Sequence, residues 1–390
     1  MSHPLSEKEI QKLPSPCFVV DETLVLKNLQ TLQSVQEATG AQILLALKAF
    51  SMFSTFPLLK KVLHGTCASS LNEARLGREE FDKEVHTYSP AYTKSELEKI
   101  LPLSDKVLFN SFGQWEKFQT TIKPYLDQVL FGFRINPQHS EGQTAIYDPC
   151  APCSRLGIPA DQFATYVSKH PNTLDGITGL HFHTLCEQDS YALERTLQAF
   201  ENACSPYLSK MNWINFGGGH HITRSDYNVE HLIQLINCFK EKYQVQIYLE
   251  PGEAVVLHTG FFITTVLDII SNDKQIAVLD TSAVAHLPDV LEMPYQPELV
   301  NAAKDSRYPY KYLLTGSTCL AGDLIGEYSF PEELSIGQRL IFLDMAHYTM
   351  VKTTTFNGIN LPSIALKKAE SGELKVVRSF SYEDFKARLS

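Results

Sequence analysis

Gln42-Ile43-Leu44-Leu45-Ala46-Leu47-Lys48-Ala49-Phe50 is the stretch from which the rest of the chain can be read. Its apolar run is long enough for a buried strand and short for a helix. It ends on a single lysine, Lys48, where strand gives way to loop. Parallel barrels keep their chemistry at such strand ends. An amine held partly out of water has a lowered pKa, so its neutral, nucleophilic form becomes accessible and it can form a Schiff base. A lysine with a buried stem and a solvated head is the plainer alternative, and this stretch alone supports both.

Outward from Lys48, short strand candidates recur at Cys17–Asp21, Gly65–Ser69, Val85–Ser89, Lys106–Asn110, Gln128–Ile135, Gly176–His183, Trp213–Gly217 and Gln246–Glu250. Helical spacing fills most of the gaps, as in Ser190–Cys204 and Val229–Tyr243. Asp21 is placed to cap a helix through Val25, Leu29, Leu32 and Val35. Strand and helix alternating to about residue 255 predict a parallel α/β barrel, with an open doubly wound sheet as the alternative. Beyond that point Phe261–Ile270, Gln275–Asp280, Tyr310–Thr315, Arg339–Leu343, Ile364–Lys368 and Leu374–Val377 read as strands with few helices between them. That texture predicts an antiparallel β domain. The expected boundaries are 17–255 for the barrel and 256–390 for the β domain, with 1–16 a candidate to pack on the latter. The expected long loop is Asn136–Arg155.

Composition narrows the function classes. The 390 residues are 44% hydrophobic and 20% charged, which is globular, and the net charge of −10 argues against nucleic acid as the main partner. No apolar run reaches the length of a membrane span, and the N-terminus lacks the basic and apolar regions of a signal peptide. The expectation is a cytoplasmic protein with reduced thiols. Cys150 and Cys153 have CxxC spacing without a second pair, so no metal site is expected.

Reactive or anion-binding groups sit at several strand ends. His181 and His183 share one strand face, as a metal pair or as stacked core rings. Gly217-Gly218-Gly219 can turn backbone N–H groups toward an anion, or merely form a flexible turn. Glu250, before Pro251-Gly252-Glu253, offers a carboxylate for a cationic ring nitrogen, or a plain turn. Gly316-Ser317-Thr318-Cys319-Leu320-Ala321-Gly322-Asp323 offers a thiol and a carboxylate, or a routine hairpin.

Taken in order, the strand-end lysine, His181-Phe182-His183, the glycine triplet, Glu250-Pro251-Gly252, Gly316–Cys319, Ala346-His347-Tyr348-Thr349 and Phe356-Asn357-Gly358 resemble the fold-type III pyridoxal-phosphate decarboxylases, the ornithine and diaminopimelate decarboxylase superfamily. The segments Tyr147–Gly157, Glu250–Glu253, His286–Pro294 and Cys319–Asp323 are similar to the branch that acts on carboxynorspermidine or carboxyspermidine in polyamine biosynthesis. The resemblance spans nearly the whole chain. It implies an alanine racemase-like (β/α)8 barrel followed by a β domain, a homodimer with shared sites, a cationic amino-acid substrate, and pyridoxal 5'-phosphate as cofactor. By the same resemblance Lys48 holds the cofactor, His183 stacks on its ring, and Gly217, Gly218, Gly219 and Tyr348 bind its phosphate. Glu250 faces the ring nitrogen, and Cys319 of the other subunit donates a proton. Asp289, Glu253, Asp323 and Arg155 are the implied substrate-side residues, with Asp148 and Glu292 as further acidic candidates.

The departures from that pattern carry information. Glu253 stands where an arginine helps hold the phosphate, Cys186 where a serine touches it, Thr66 where an aspartate precedes Cys-Ala-Ser, and Leu320 where ornithine enzymes have an acidic residue. The last disfavours a short diamino acid. Decarboxylases of diaminopimelate, ornithine, lysine or arginine are the nearest alternatives. A non-catalytic regulator is opposed by the retained residues, and a racemase by Glu250, since its ring nitrogen would face an arginine.

Overall fold

A computed structural model describes residues 5–142 and 144–390. The first four residues of the 1–16 segment, and Gln143 in the expected long loop, lie outside the described residues. The chain divides into two compact units: one formed by Lys27–Val255, the other by the described residues up to Leu26 together with Val256–Ser390.

The strands, in chain order, begin with β1 (Cys17–Asp21), β2 (Gln42–Ala46), β3 (Gly65–Ala68), β4 (Glu84–Tyr88) and β5 (Lys106–Phe109). They continue with β6 (Leu130–Asn136), β7 (Ile158–Pro159), β8 (Ile177–His181), β9 (Trp213–Asn215) and β10 (Gln246–Leu249). Within the first unit every pairing is parallel, in the order β2-β3-β4-β5-β6-β8-β9-β10, and β10 pairs back onto β2. Eight strands therefore close into a barrel, and the open doubly wound sheet is ruled out. The short β7 is an outlier attached only to β6. Helices return the chain between strands, as at Ser190–Leu208, where the Asp189 carboxylate accepts from the Tyr191 and Ala192 N–H groups. Inside the barrel Leu44, Leu108, Trp213 and Tyr248 pack together.

The second unit holds a sheet in the order β14-β13-β12-β11-β1-β16-β17, with β15 on β11. Here β11 is Gly260–Asn272, β12 Lys274–Leu279, β13 Tyr310–Thr315, β14 Leu324–Phe330, β15 Arg339–Leu343, β16 Ser363–Lys367 and β17 Leu374–Arg378. Two pairs, β1 with β16 and β12 with β13, are parallel. Both have long connections between them, which a parallel pair requires. The strand Cys17–Asp21, which the 17–255 boundary included with the barrel and the resemblance matched to the segment preceding it, is an interior strand of this sheet, pairing with β11 and β16. Leu5, Ile10 and Leu13 join Val19, Phe261, Ile263 and Ile341 in one core, and the Arg339 guanidinium donates to the Ile10 and Leu13 carbonyls. No helix among the described residues is long and apolar enough to cross a membrane.

Candidate active site

The barrel strands deliver a set of polar side chains to their C-terminal ends. Lys48 follows β2, Ser69 follows β3, Tyr88 ends β4, Arg134 lies late in β6, His181 ends β8, and Glu250 follows β10. Together with His183, Cys67 and His86 they line one cavity. Lys48 keeps access to solvent from the cavity. The protein crowded around its amine, and then the Arg134 guanidinium, push its pKa below the ordinary lysine value.

Glu250 is 8% exposed, and its carboxylate is tied down by neutral donors. Asn215 Nδ2 is 2.7 Å from Oε1, and His181 Nε2 is 3.3 Å from Oε2. Burial would raise the pKa of Glu250, but His181, His86 and Asn215 outweigh it and hold the group ionised, below the usual carboxylate range. His183 is held neutral by desolvation and by the nearby cations Lys48 and Arg134. Its Nδ1 accepts from the Gly218 N–H at 2.8 Å. The glycine triplet turns immediately after β9. Gly217 and Gly219 have φ of +70° and +81°, and a Cβ at either would strike the Phe182 or Leu185 carbonyl oxygen.

The expected residues of the barrel unit thus converge: Lys48, His183, Glu250 and the Gly217–Gly219 turn are neighbours. Glu253 does not reach the cavity lining. It pairs with His221 Nε2 at 3.1 Å, beside the glycine turn. Arg155 is exposed, and its backbone carbonyl, not its side chain, is anchored, by Asn110 Nδ2 at 2.8 Å.

The other expected residues belong to the second unit. Cys319 is exposed in the loop between β13 and β14, with its N–H donating to Asn357 Oδ1 at 2.7 Å. Asp323, 3% exposed, has both oxygens engaged: Oδ1 accepts from the Ala283 N–H, Oδ2 from the Thr318 hydroxyl and N–H. It braces the Cys319 loop, and those bonds leave it poorly suited to the expected substrate contact. Asp289 shares the Lys352 amine with Glu292. Tyr348 stands at φ +49° just after His347. All eight cysteines are free, and no group of three metal-ligating side chains occurs among the described residues.

Arg134, Tyr88 and His86 are among the cavity residues that escaped the sequence reading. Arg134, 5% exposed, donates to the His183 carbonyl at 3.1 Å and lies 4.7 Å from the Tyr88 ring centroid. Its signal was a charge within the apolar run Leu130-Phe131-Gly132-Phe133-Arg134-Ile135. Tyr88 gave none.

A parallel barrel with a strand-end amine, a buried carboxylate and a glycine turn at its mouth defines a class of cofactor-dependent enzyme, and similarity to known proteins specifies it. The family profile described as "Pyridoxal-dependent decarboxylase, C-terminal sheet domain" matches residues 17–346, and the chain belongs to that family. It is 44% identical to a carboxynorspermidine/carboxyspermidine decarboxylase of Campylobacter jejuni, over 97% of this chain and 99% of that one. It is also 44% identical to a carboxyaminopropylagmatine decarboxylase of Synechocystis, over 99% and 98% of the two chains. A crystal structure of the carboxynorspermidine decarboxylase from Campylobacter jejuni, complexed with norspermidine, superposes with a TM-score of 0.87 at 44% identity, covering 96% of this chain and 100% of that one.

Proposed function

We propose that this protein removes CO2 from carboxynorspermidine, carboxyspermidine or both, with pyridoxal 5'-phosphate as its cofactor, in the cytoplasm and as a homodimer. The observation that carries the chemistry is the placement of Lys48 and an ionised Glu250 in one cavity of the barrel. The residues fit this cofactor. An amine with a lowered pKa is ready to be carried by a carbonyl carbon, and a buried anion is ready to hold a proton on a ring nitrogen. The Gly217–Gly219 turn offers backbone donors for a phosphate. When bound, pyridoxal phosphate supplies a sink for the electron pair that CO2 leaves behind.

The chain's own groups supply the rest. Glu250 remains anionic through its Asn215 and His181 donors, so a proton beside it is stabilised. His183, neutral and oriented by the Gly218 N–H, presents a flat face to an aromatic ring. Cys319 of one subunit serves the cavity of the other as proton donor, as a thiol's pKa lies near working pH. Leu320 and Phe356, 43% exposed and flanking the Cys319–Asn357 hydrogen bond, favour a covered interface there. Asp289 is the acidic contact for the substrate's cationic arm, where a substrate ammonium would compete with Lys352.

A second reading is favoured by the equal identity to the Synechocystis enzyme: the substrate arm would end in a guanidinium instead of an amine. A CO2-release assay across carboxynorspermidine, carboxyspermidine, carboxyaminopropylagmatine, diaminopimelate, ornithine, lysine and arginine separates these. The first two should lead. Faster turnover of the guanidinium substrate selects the second reading, and faster turnover of a short diamino acid overturns both. Mixing inactive Lys48→Ala and Cys319→Ala proteins should restore activity; no recovery removes the shared-site dimer.

A further inference from the structure

We infer that His181 is a positioning residue: held as a neutral Nε2–H donor, it fixes the Glu250 carboxylate in the orientation that the ring-nitrogen proton needs. The inference rests on the pyridoxal-phosphate reading above. His181 is 2% exposed and closes β8 with its Nε2 3.3 Å from Glu250 Oε2. A carboxylate oxygen only accepts, so Nε2 carries the hydrogen. Nδ1 is buried and has no hydrogen-bond partner among the described residues. A proton there would lack an acceptor, which selects one tautomer.

The surroundings agree. The ring lies between Tyr88, with centroids 6.0 Å apart and planes at 29°, and His183, 6.5 Å and 17°. Two near-parallel rings limit its rotation. The charged or titratable groups that share its cavity are Glu250 beyond β10, Arg134 on β6, Lys48 beyond β2, Cys67 on β3, His86 and Tyr88 on β4, and His183. Desolvation, Arg134 and Lys48 oppose a charged imidazole, and Glu250 alone favours it; the balance keeps it neutral. A neutral donor is what the task requires. A charged imidazolium would neutralise Glu250 and weaken its hold on a ring proton. With Asn215 on the other oxygen, the carboxylate has a donor at each end and cannot swing.

The test uses His181→Phe, which keeps the stacked ring without a donor, beside His181→Gln, which restores an N–H. With pyridoxal 5'-phosphate bound, the Phe variant should lose roughly ten- to hundredfold in kcat, as expected for one hydrogen bond to a charged group, with KM nearly unchanged. Its bound-cofactor absorbance should titrate between about pH 6 and 9, where the wild-type spectrum stays flat. The Gln variant should recover most of both. A Phe variant with wild-type kcat and a flat spectrum overturns the inference. If the Phe variant does not fold, nitrogen NMR of wild-type protein labelled at histidine decides: an Nε2–H, Nδ1-bare signal for His181 at pH 7 supports it, and an imidazolium or Nδ1–H form overturns it. Wild-type protein that takes up no pyridoxal phosphate would fail the underlying reading instead, a distinguishable result.

Discussion

The barrel carries two buried polar clusters, one at each end, and they are built on opposite principles. At the N-terminal ends of the strands, Glu84 begins β4 and Lys106 begins β5, and the two form an ion pair. His64 Nε2 is 2.5 Å and His86 Nε2 2.9 Å from the Glu84 carboxylate, and the Lys106 amine is 3.1 Å from the Tyr248 hydroxyl. Burial would raise the pKa of Glu84, but these partners hold it far below the carboxylate range. At the C-terminal ends, Lys48 borders a cavity, and buried Nδ1 atoms of His181 and His220 lack hydrogen-bond partners among the described residues. The paired cluster contributes to holding the barrel closed, although Nδ1 of His86, which also lines the cavity, has no hydrogen-bond partner among the described residues. An unsaturated one leaves groups available to a ligand. The same parallel strands supply both, and the cavity with Lys48 lies at their C-terminal ends, where parallel barrels keep their chemistry.

Substitution at the mouth should break activity and spare the fold. Lys48→Ala should lower kcat by at least roughly a thousandfold and abolish visible absorption by bound cofactor. Its thermal midpoint should not fall, because the amine removed was desolvated and set against Arg134. A large loss of stability with partial activity would reverse the contrast between the two ends. Substitution at the floor should do the opposite. Lys106→Met leaves Glu84 without its lysine partner and should cost about 3–5 kcal/mol in chemical denaturation, with activity per folded molecule retained. The double variant Glu84→Gln/Lys106→Met should recover much of that loss, since the pair is coupled.

Acid should titrate the buried histidines before it titrates Glu84. His220, 1% exposed and donating through Nε2 to the Phe216 carbonyl, has its pKa pushed down to about 4 by burial, from 6.5 when unfolded. His86, His181 and His183 are lowered in the same direction. Between those values the unfolded chain binds more protons, so stability is full above pH 6.5 and falls as pH drops toward 4. Glu84 is a carboxylate with a lowered pKa, so its contribution is full above the ordinary carboxylate range and is lost only as pH falls below it. The unfolding free energy should slope below pH 6.5, and His220→Gln should flatten that slope by an amount on the order of a few kcal/mol at pH 4. An unchanged slope would remove His220 from this account.

Most of the barrel was legible because buried parallel strands are continuous apolar runs of the right length, as Gln42–Ala46 and Gln246–Leu249 are. Leu324–Phe330 escaped because Gly326, Glu327 and Ser329 interrupt its apolar pattern; its register to β13 is set by pairing across the sheet. Cys17–Asp21 was recognised as a strand, and the resemblance matched it to the segment before the barrel, but its run, buried on both faces, could not by itself say which sheet it joins. Lys48, His183, the glycine turn and Glu250 were legible through their order along the chain. The His181 and Arg134 contacts depend on which strands become neighbours after closure, and no local pattern encodes that.

The smallest effect expected at the mouth separates a side chain from the backbone beside it. Arg155 was expected on the substrate side; its carbonyl is anchored by Asn110, and its guanidinium acts on Tyr88 by charge alone. Asn110 also accepts from the Tyr88 hydroxyl and the Gly157 N–H, both at 2.6 Å, so one amide joins β4 to the segment before β7. Asn110→Ala should therefore cost about 1–3 kcal/mol, by leaving partly buried donors unpaired, and should raise KM through displaced Tyr88. Arg155→Ala should stay within about 0.5 kcal/mol of wild type, with KM unchanged, as its exposed side chain contributes no hydrogen bond to that joint. A raised KM for Arg155→Ala with Asn110→Ala silent would return the substrate role to the guanidinium and take it from the backbone that Asn110 holds.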